Sequence, residues 1–259
     1  MKYWKKYSFI VCDDTTRTII CVPPKNGCTY FKTMWVNLTR DVNKSVGDVH
    51  NPKSLKKYKL RYLHSYSQSE IRTRIKKYFK IVVARHPMVR LLSAYRDKLE
   101  RKDDVFERIV GREIKKRYFP ANQSKVDRVT FEQFVHYLVH TDPMKYDKHW
   151  QPIAYFCHLC EIQYDYIAKI ETSHVDYPRI FSTMKNISVS KRNMLKSMKN
   201  LKGKTNVTTM NEYYSRVPAK HLEIIENMYS VDMSLFGYTW NKTSLSYSCQ
   251  MDTAGKECC

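Results

Sequence analysis

The segment Pro24-Lys25-Asn26-Gly27-Cys28-Thr29 holds the residue types an anion site needs. It stands between an apolar run, Thr18–Val22 (TIICV), and a segment with apolar residues at Phe31, Met34, Trp35 and Leu38. That second spacing is helical, so the six residues form a strand-to-helix loop. The first turn of such a helix directs unpaired N–H groups outward, a geometry that binds phosphate or sulfate. Lys25 adds a mobile cation and Thr29 a hydroxyl, and Lys32, one turn after Thr29, reaches the same anion. The loop lacks the G-x-x-x-x-G-K-[ST] pattern, so nucleoside triphosphate hydrolysis fits poorly. A second apolar run, Lys80–Ala84 (KIVVA), ends at Arg85, and Ser93 lies two turns along the segment that follows Pro87. Ligands of open α/β sheets gather at the carboxyl ends of the strands. Lys25, Thr29, Lys32, Arg85 and Ser93 are therefore expected to converge on a ligand with two separated anionic groups.

The elements that must position these residues alternate. Strands are expected at Thr18–Val22, Lys80–Ala84 and Tyr164–Ile170, and helices at Cys28–Arg40, Ile71–Tyr78, Met88–Leu99, Phe131–Val139, Met210–Tyr214 and Ala219–Tyr229. A further helix follows the third strand, with Thr172 placed to cap it. Strands alternating with helices imply an α/β layer fold with a parallel sheet. No repeat and no Gly/Ser linker divides the chain. Residues 1–240 are read as one domain and the polar residues 241–259 as a flexible tail.

Composition narrows the partners. The 259 residues carry 46 Lys plus Arg against 25 Asp plus Glu, a formal charge of +21. Such a field attracts polyanions. Between Lys53 and Arg90 stand 12 basic residues and one acid, Glu70. With 42% hydrophobic and 13% aromatic residues the chain has the material for a sizeable core, which excludes a mostly disordered protein. No helix-turn-helix, RNP or zinc-finger pattern supports a nucleic-acid module. N-x-S/T sequons occur at Asn37, Asn43, Asn122, Asn186, Asn206 and Asn241, against about 1.7 expected by chance from the composition. They point to the secretory lumen, where disulfides persist. No apolar run is long enough for a membrane span, and the start lacks the apolar core of a signal peptide. An N-terminal anchor absent from this sequence is the expected explanation. Of eight cysteines, Cys157-His158-Leu159-Cys160 forms a lone C-x-x-C. Without a second pair it is no zinc motif, and a redox pair or a local disulfide remain open.

The ordered motifs carry a resemblance. CVPPKNGCTYFK resembles the 5'-phosphosulfate loop of Golgi carbohydrate sulfotransferases, and IVVARHPMVRLLSAYRDKL resembles their 3'-phosphate motif. DKHWQPIAYFCHLCEIQYDYIAKIET is similar to the family's H-W…C-x-x-C block, and TNVTTMNEYYSRVPAKHLEIIENMYSVDMSLFGY to its closing helices. The nearest branch contains chondroitin, dermatan, N-acetylgalactosamine and HNK-1 sulfotransferases. Against the loop pattern V-P-K-x-A-C-T-N-W-K, Pro23 is extra, Asn26-Gly27 replaces the middle pair and Tyr30-Phe31 replaces Asn-Trp. His86 stands where an acid often follows the motif arginine.

The resemblance implies a P-loop-like three-layer fold around a central parallel sheet. It implies transfer of a sulfuryl group from 3'-phosphoadenylyl sulfate (PAPS) to a glycan hydroxyl, without a metal. Lys25, helped by the loop amides of Gly27–Thr29, would stabilise the bridging oxygen, and Asn26, Gly27 and Cys28 count among the donor-binding residues. Thr29 and Lys32 would hold the 5'-phosphate, and Arg85 and Ser93 the 3'-phosphate. His64 and His149 are the two candidates for the base. Cys157 and Cys160 match a family pair that is read as structural and disulfide-bonded, and Tyr164, Asp165 and Lys169 are read as core and salt-bridge residues. The expected acceptor is an acidic glycosaminoglycan of chondroitin type, and the expected location is the Golgi lumen or membrane. A uronyl or heparan 2-O-type enzyme and an inactive polyanion-binding relative are the alternatives.

Overall fold

Short, β-rich runs separated by polar turns form the strands, and longer amphipathic stretches the helices. A computed structural model describes residues 6–40, 42, 46, 48–101, 105–120, 128–183, 205–241 and 246–249. In chain order the first elements are β1 (Ile10–Asp13), β2 (Thr18–Cys21), α1 (Cys28–Thr39), α2 (Pro52–Lys57), β3 (Leu60–Tyr62), α3 (Gln68–Lys77) and β4 (Phe79–Ala84). Then come α4 (Pro87–Lys98), α5 (Arg112–Tyr118), α6 (Phe131–Val139), α7 (Ile153–Phe156), β5 (Tyr166–Lys169) and α8 (Ser173–Ser182). The last are α9 (Val207–Tyr214), α10 (Ala219–Met228), α11 (Ser230–Leu235), β6 (Tyr238–Asn241) and β7 (Ser246–Cys249). The described residues fall into two units, one within 1–85 and 153–183, the other within 86–152 and 205–249.

The first unit holds a five-stranded sheet in the order β3-β1-β2-β4-β5. β2, β4 and β5 run parallel, with Ile20 opposite Ile81 and Val83 opposite Ala168. β1 pairs antiparallel with both β2 and β3. The sheet is therefore mixed, where the sequence pattern pointed to a parallel one. The cause is local: β1 returns into β2 through a tight turn, and β3 is three residues long, too short to show a period. The turn is built by Asp13, whose Oδ1 accepts from the amides of Thr15 and Thr16 at 2.9 and 3.3 Å. The same buried carboxylate takes the Trp35 indole at 2.8 Å and the Arg40 guanidinium at 2.6 Å. A buried charge is tolerated only when paired and hydrogen-bonded in this way.

Val11, Ile20, Ile81, Val83 and Ala168 share one core cluster with Phe31 and Trp35 of α1 and Phe181 of α8. The rings of Trp35 and Phe181 lie 5.4 Å apart. Cys21, at the end of β2, is disulfide-bonded to Cys157 just after α7. This corrects a local Cys157–Cys160 bridge: Cys157 is fully buried beside the sheet while Cys160 is exposed. Asp165 pairs with Lys80 at 2.8 Å, and the Tyr164 hydroxyl donates to the Cys157 carbonyl at 2.9 Å. Thr172 makes no capping bond at α8; its hydroxyl bonds Asp176 instead.

In the second unit α4 starts at Pro87, a residue pre-set for a first helical turn. Arg90 is buried and donates to the carbonyls of Gln151 and Lys148 at 2.6 and 3.1 Å. Tyr95, Phe131 and Tyr214 pack edge to face at 5.2 and 4.9 Å. β6 and β7 form a hairpin, so Ser246–Cys249 of the C-terminal segment pairs with Tyr238–Asn241. Asn37, Asn206 and Asn241 are exposed; the sequons at Asn43, Asn122 and Asn186 lie outside the described residues, as do Cys258 and Cys259. Among the described residues no helix is long and apolar enough to cross a membrane.

The edge of β1 carries an acid-sensitive clamp. Arg74 of α3 donates to both oxygens of Asp14 at 2.9 and 3.2 Å, and the hydroxyls of Tyr66 and Tyr78 donate at 2.8 and 2.9 Å. Burial alone would raise the Asp14 carboxyl, but these donors outweigh it and hold its pKa at about 2 against an ordinary 3.8. A depressed carboxylate stabilises the fold above its unfolded pKa and loses that contribution as the pH falls through the folded value. Thermal unfolding should therefore show falling stability between about pH 4 and pH 2. The Asp14→Asn protein should show a shallower slope in that window, and an unchanged slope would remove Asp14 as its source.

Candidate functional site

The loop after β2 is shaped by two residues in the left-handed region, Lys25 at φ 71° and Gly27 at φ 65°. Glycine adopts this region freely; for Lys25 it costs about 1–2 kcal/mol and needs support from its surroundings. β4 supplies the support. Asn26 lies fully buried between the two, and its Nδ2 donates to the Val83 carbonyl at 2.6 Å. Nη1 of Arg85, itself buried, donates to the Lys25 carbonyl at 2.8 Å. Two side-chain bonds thus hold the loop against the carboxyl end of the neighbouring strand.

α1 begins immediately after Gly27. No side chain caps it and no acid stands in its first turn. Its first amides, from Cys28 onward, lack intrahelical partners, so the helix end suits an anion. Lys25 is half-buried beside it, and Lys32 is buried on the next turn with Nζ 6.0 Å from the centre of the Tyr62 ring. His50 is a residue that motif reading missed. Its Nε2 lies 2.7 Å from the Thr29 hydroxyl and 3.9 Å from Cys28 Sγ. Burial pushes the Cys28 thiol up, but the His50 hydrogen bond and the charges of His50 and Lys32 outweigh it and hold the thiol below its ordinary pKa. No local signal ties His50 to a loop 21 residues earlier.

The sheet register places one more candidate. Ile10, at the start of β1, faces Cys21, at the end of β2, and Val11 faces Tyr62, at the end of β3. The residues following Tyr62 therefore lie at the same sheet edge as the loop following Cys21. His64 is among them, half-buried and stacked 5.8 Å from Tyr62. Its Nδ1 is buried and has no hydrogen-bond partner among the described residues.

An uncapped helix end behind a basic loop, held against the next parallel strand, suits an oxyanion, and one family model matches almost the whole chain. The model, described as the sulfotransferase family, matches residues 7–239. The chain belongs to the sulfotransferase family. It is 31% identical over 243 residues to carbohydrate sulfotransferase 14 of Danio rerio, covering 92% of this chain and 64% of that protein. It is 29% identical over 237 residues to carbohydrate sulfotransferase 9 of Homo sapiens, covering 90% and 53%. To carbohydrate sulfotransferase 11 of Rattus norvegicus it is 31% identical over 240 residues, covering 89% and 67%. The chain thus spans between half and two thirds of the length of these relatives. No solved structure gives a significant match.

Of the residues singled out by sequence, the structure brings Lys25, Asn26, Gly27, Cys28, Thr29, Lys32 and Arg85 together in the first unit, with His64 at the same sheet edge. Ser93, half-buried on α4, and His149 belong to the second unit. His149 Nδ1 lies 2.5 Å from Asp147 Oδ1, and its ring meets Phe106 edge to face. Burial lowers the His149 pKa, and the Asp147 carboxylate offsets this only in part.

Asn26 acts as a strut. Asn26→Ala would leave the Val83 carbonyl buried without its partner, which costs about 1–3 kcal/mol. A stability measurement should show that loss. Binding of adenosine 3',5'-bisphosphate should weaken about ten-fold, since Lys25 and Gly27 lose their fixed geometry. Unchanged binding in the folded variant would mean the strut does not shape the anion cradle.

Proposed function

We propose that this member of the sulfotransferase family transfers a sulfuryl group from PAPS to a glycan hydroxyl, with an acidic, chondroitin-type chain as acceptor. The observation that carries this reading is the uncapped, acid-free start of α1 behind the Lys25–Gly27 loop, tied to β4 by Asn26 and Arg85. The residues fit the donor: backbone amides and two lysines suit its 5'-phosphosulfate. The relatives' names supply the carbohydrate class, and the charge of +21 supports an anionic acceptor.

The donor supplies an activated sulfuryl group whose bond to the 5'-phosphate breaks as the acceptor oxygen bonds to sulfur. Lys25 and the loop amides stabilise the negative charge that grows on the bridging oxygen. Thr29 and Lys32 bind the 5'-phosphate, with His50 orienting the Thr29 hydroxyl. Arg85 binds the 3'-phosphate. His64 takes the hydroxyl proton at Nε2: it stands, half-buried, at the sheet edge that carries the loop, with Nδ1 turned into the protein. His149, fixed by Asp147, is assigned a positioning role in its own unit. The exposed sequons and the Cys21–Cys157 bridge support the Golgi lumen.

Lys25→Ala should lower kcat by on the order of 10²–10³, the usual loss for one stabiliser of a developing oxyanion. His64→Asn should lower it by on the order of 10²–10⁴. Both should keep the wild-type melting temperature. Steady-state transfer kinetics on the full chain check both; near-normal turnover in Lys25→Ala would sink the reading, and a loss in His149→Asn but not His64→Asn would move the base.

A further inference from the structure

A cavity of about 760 Å³ opens beside β3, walled by Phe9, Leu55, Leu60 and Tyr62 and bordered by Lys56 and Arg61. Its size matches sites that hold small ligands. No acidic side chain lines it, and His64 and Ser65 stand on its wall. Three observations give it a direction. The register puts Phe9, just before β1, and Tyr62 at the edge where the Lys25 loop emerges. Tyr62 also carries Lys32 over its ring, so one aromatic side chain borders both the cavity and the anion-binding helix. Burial, with the charges of Asp48 and Cys28, raises the Tyr62 hydroxyl, so it stays a neutral donor.

We infer that this cavity is the acceptor-side specificity site: it receives an anionic pyranose, with the C–H face of the sugar on Tyr62 and Phe9 and its carboxylate or sulfate on Lys56 and Arg61. The inference rests on the sulfotransferase reading above. Apolar and aromatic walls suit the C–H face of a sugar ring, and two cations without an acid among the lining residues reject a cationic ligand and favour an anionic one. Arg61 is held in place for this: its guanidinium stacks 4.3 Å from the Tyr66 ring and donates to the Ser65 carbonyl at 3.3 Å. Lys56 is exposed on α2 and reaches the same rim. A sugar seated here lies against His64, so the neighbouring hydroxyl of the chain would meet the base.

Calorimetric titration of the full chain tests the inference without transfer. The probes are an unsulfated chondroitin oligosaccharide, a neutral chitin oligosaccharide of the same length, and adenosine 3',5'-bisphosphate. The wild type should prefer the chondroitin probe. Lys56→Glu, an exposed change that the fold should tolerate, should weaken that probe by about ten-fold or more while leaving the nucleotide within about two-fold. Phe9→Ala should weaken it as well, through lost stacking, and its melting temperature reports whether it folds. Equal binding of both oligosaccharides, or chondroitin binding untouched by Lys56→Glu, would overturn the cavity as the acceptor site. Failure of the wild type to bind the nucleotide would instead strike the donor reading and leave the oligosaccharide comparison to stand on its own.

Discussion

The candidate site depends on a strained loop being held still by the strand beside it. Lys25 sits at φ 71°, and the bonds Asn26–Val83 and Arg85–Lys25 fix it there. One anchor lies in β4 and the other directly follows it, 57 and 60 residues beyond the loop positions they hold. The Cys21–Cys157 bridge fastens the same junction from the α7 side. A cation on a mobile loop would lose part of its binding energy to ordering the backbone; here hydrogen bonds to the Lys25 carbonyl and from Asn26 have met that backbone cost in folding.

The electrostatics of the first unit follow a consistent pattern. Acidic groups serve as structural acceptors: Asp13 for Trp35 and Arg40, Asp14 for Arg74 and two tyrosines, Asp165 for Lys80. The helix end that faces the loop carries none. Lys25, Lys32 and the α1 amides together suit an anion, and the exposed Lys53, Lys56, Lys57, Lys59 and Arg61 add positive charge at the surface of the same unit.

Much of this was legible in the sequence. The buried runs TIICV and KIVVA became β2 and β4, and the helical spacing after Gly27 became α1, because apolar period and turn chemistry agree there. β1 and β3 were not legible, since β3 has only three residues and β1 runs into Asp13-Asp14 without the Pro or Gly turn signal that closes TIICV, and they turn an expected parallel sheet into a mixed one. Lys25 and Arg85 could be picked out by type and place, but not the bond between them. Nor could the partnership of Cys157 with Cys21, 136 residues away, or that of His50 with Thr29: pairings over such separations are set by the tertiary fold. Asn26 was assigned to the ligand, and the structure gives its side chain to Val83 instead, leaving its backbone to the loop.

Transfer of radiolabelled sulfate from PAPS onto a panel of desulfated glycans tests the central claim most directly. Label should enter acidic chains, chondroitin foremost, and should vanish when Lys25 is replaced by alanine. Tight binding of nucleotide and polyanion with no label in any glycan would contradict the claim and leave a polyanion-binding relative of the enzymes in its place.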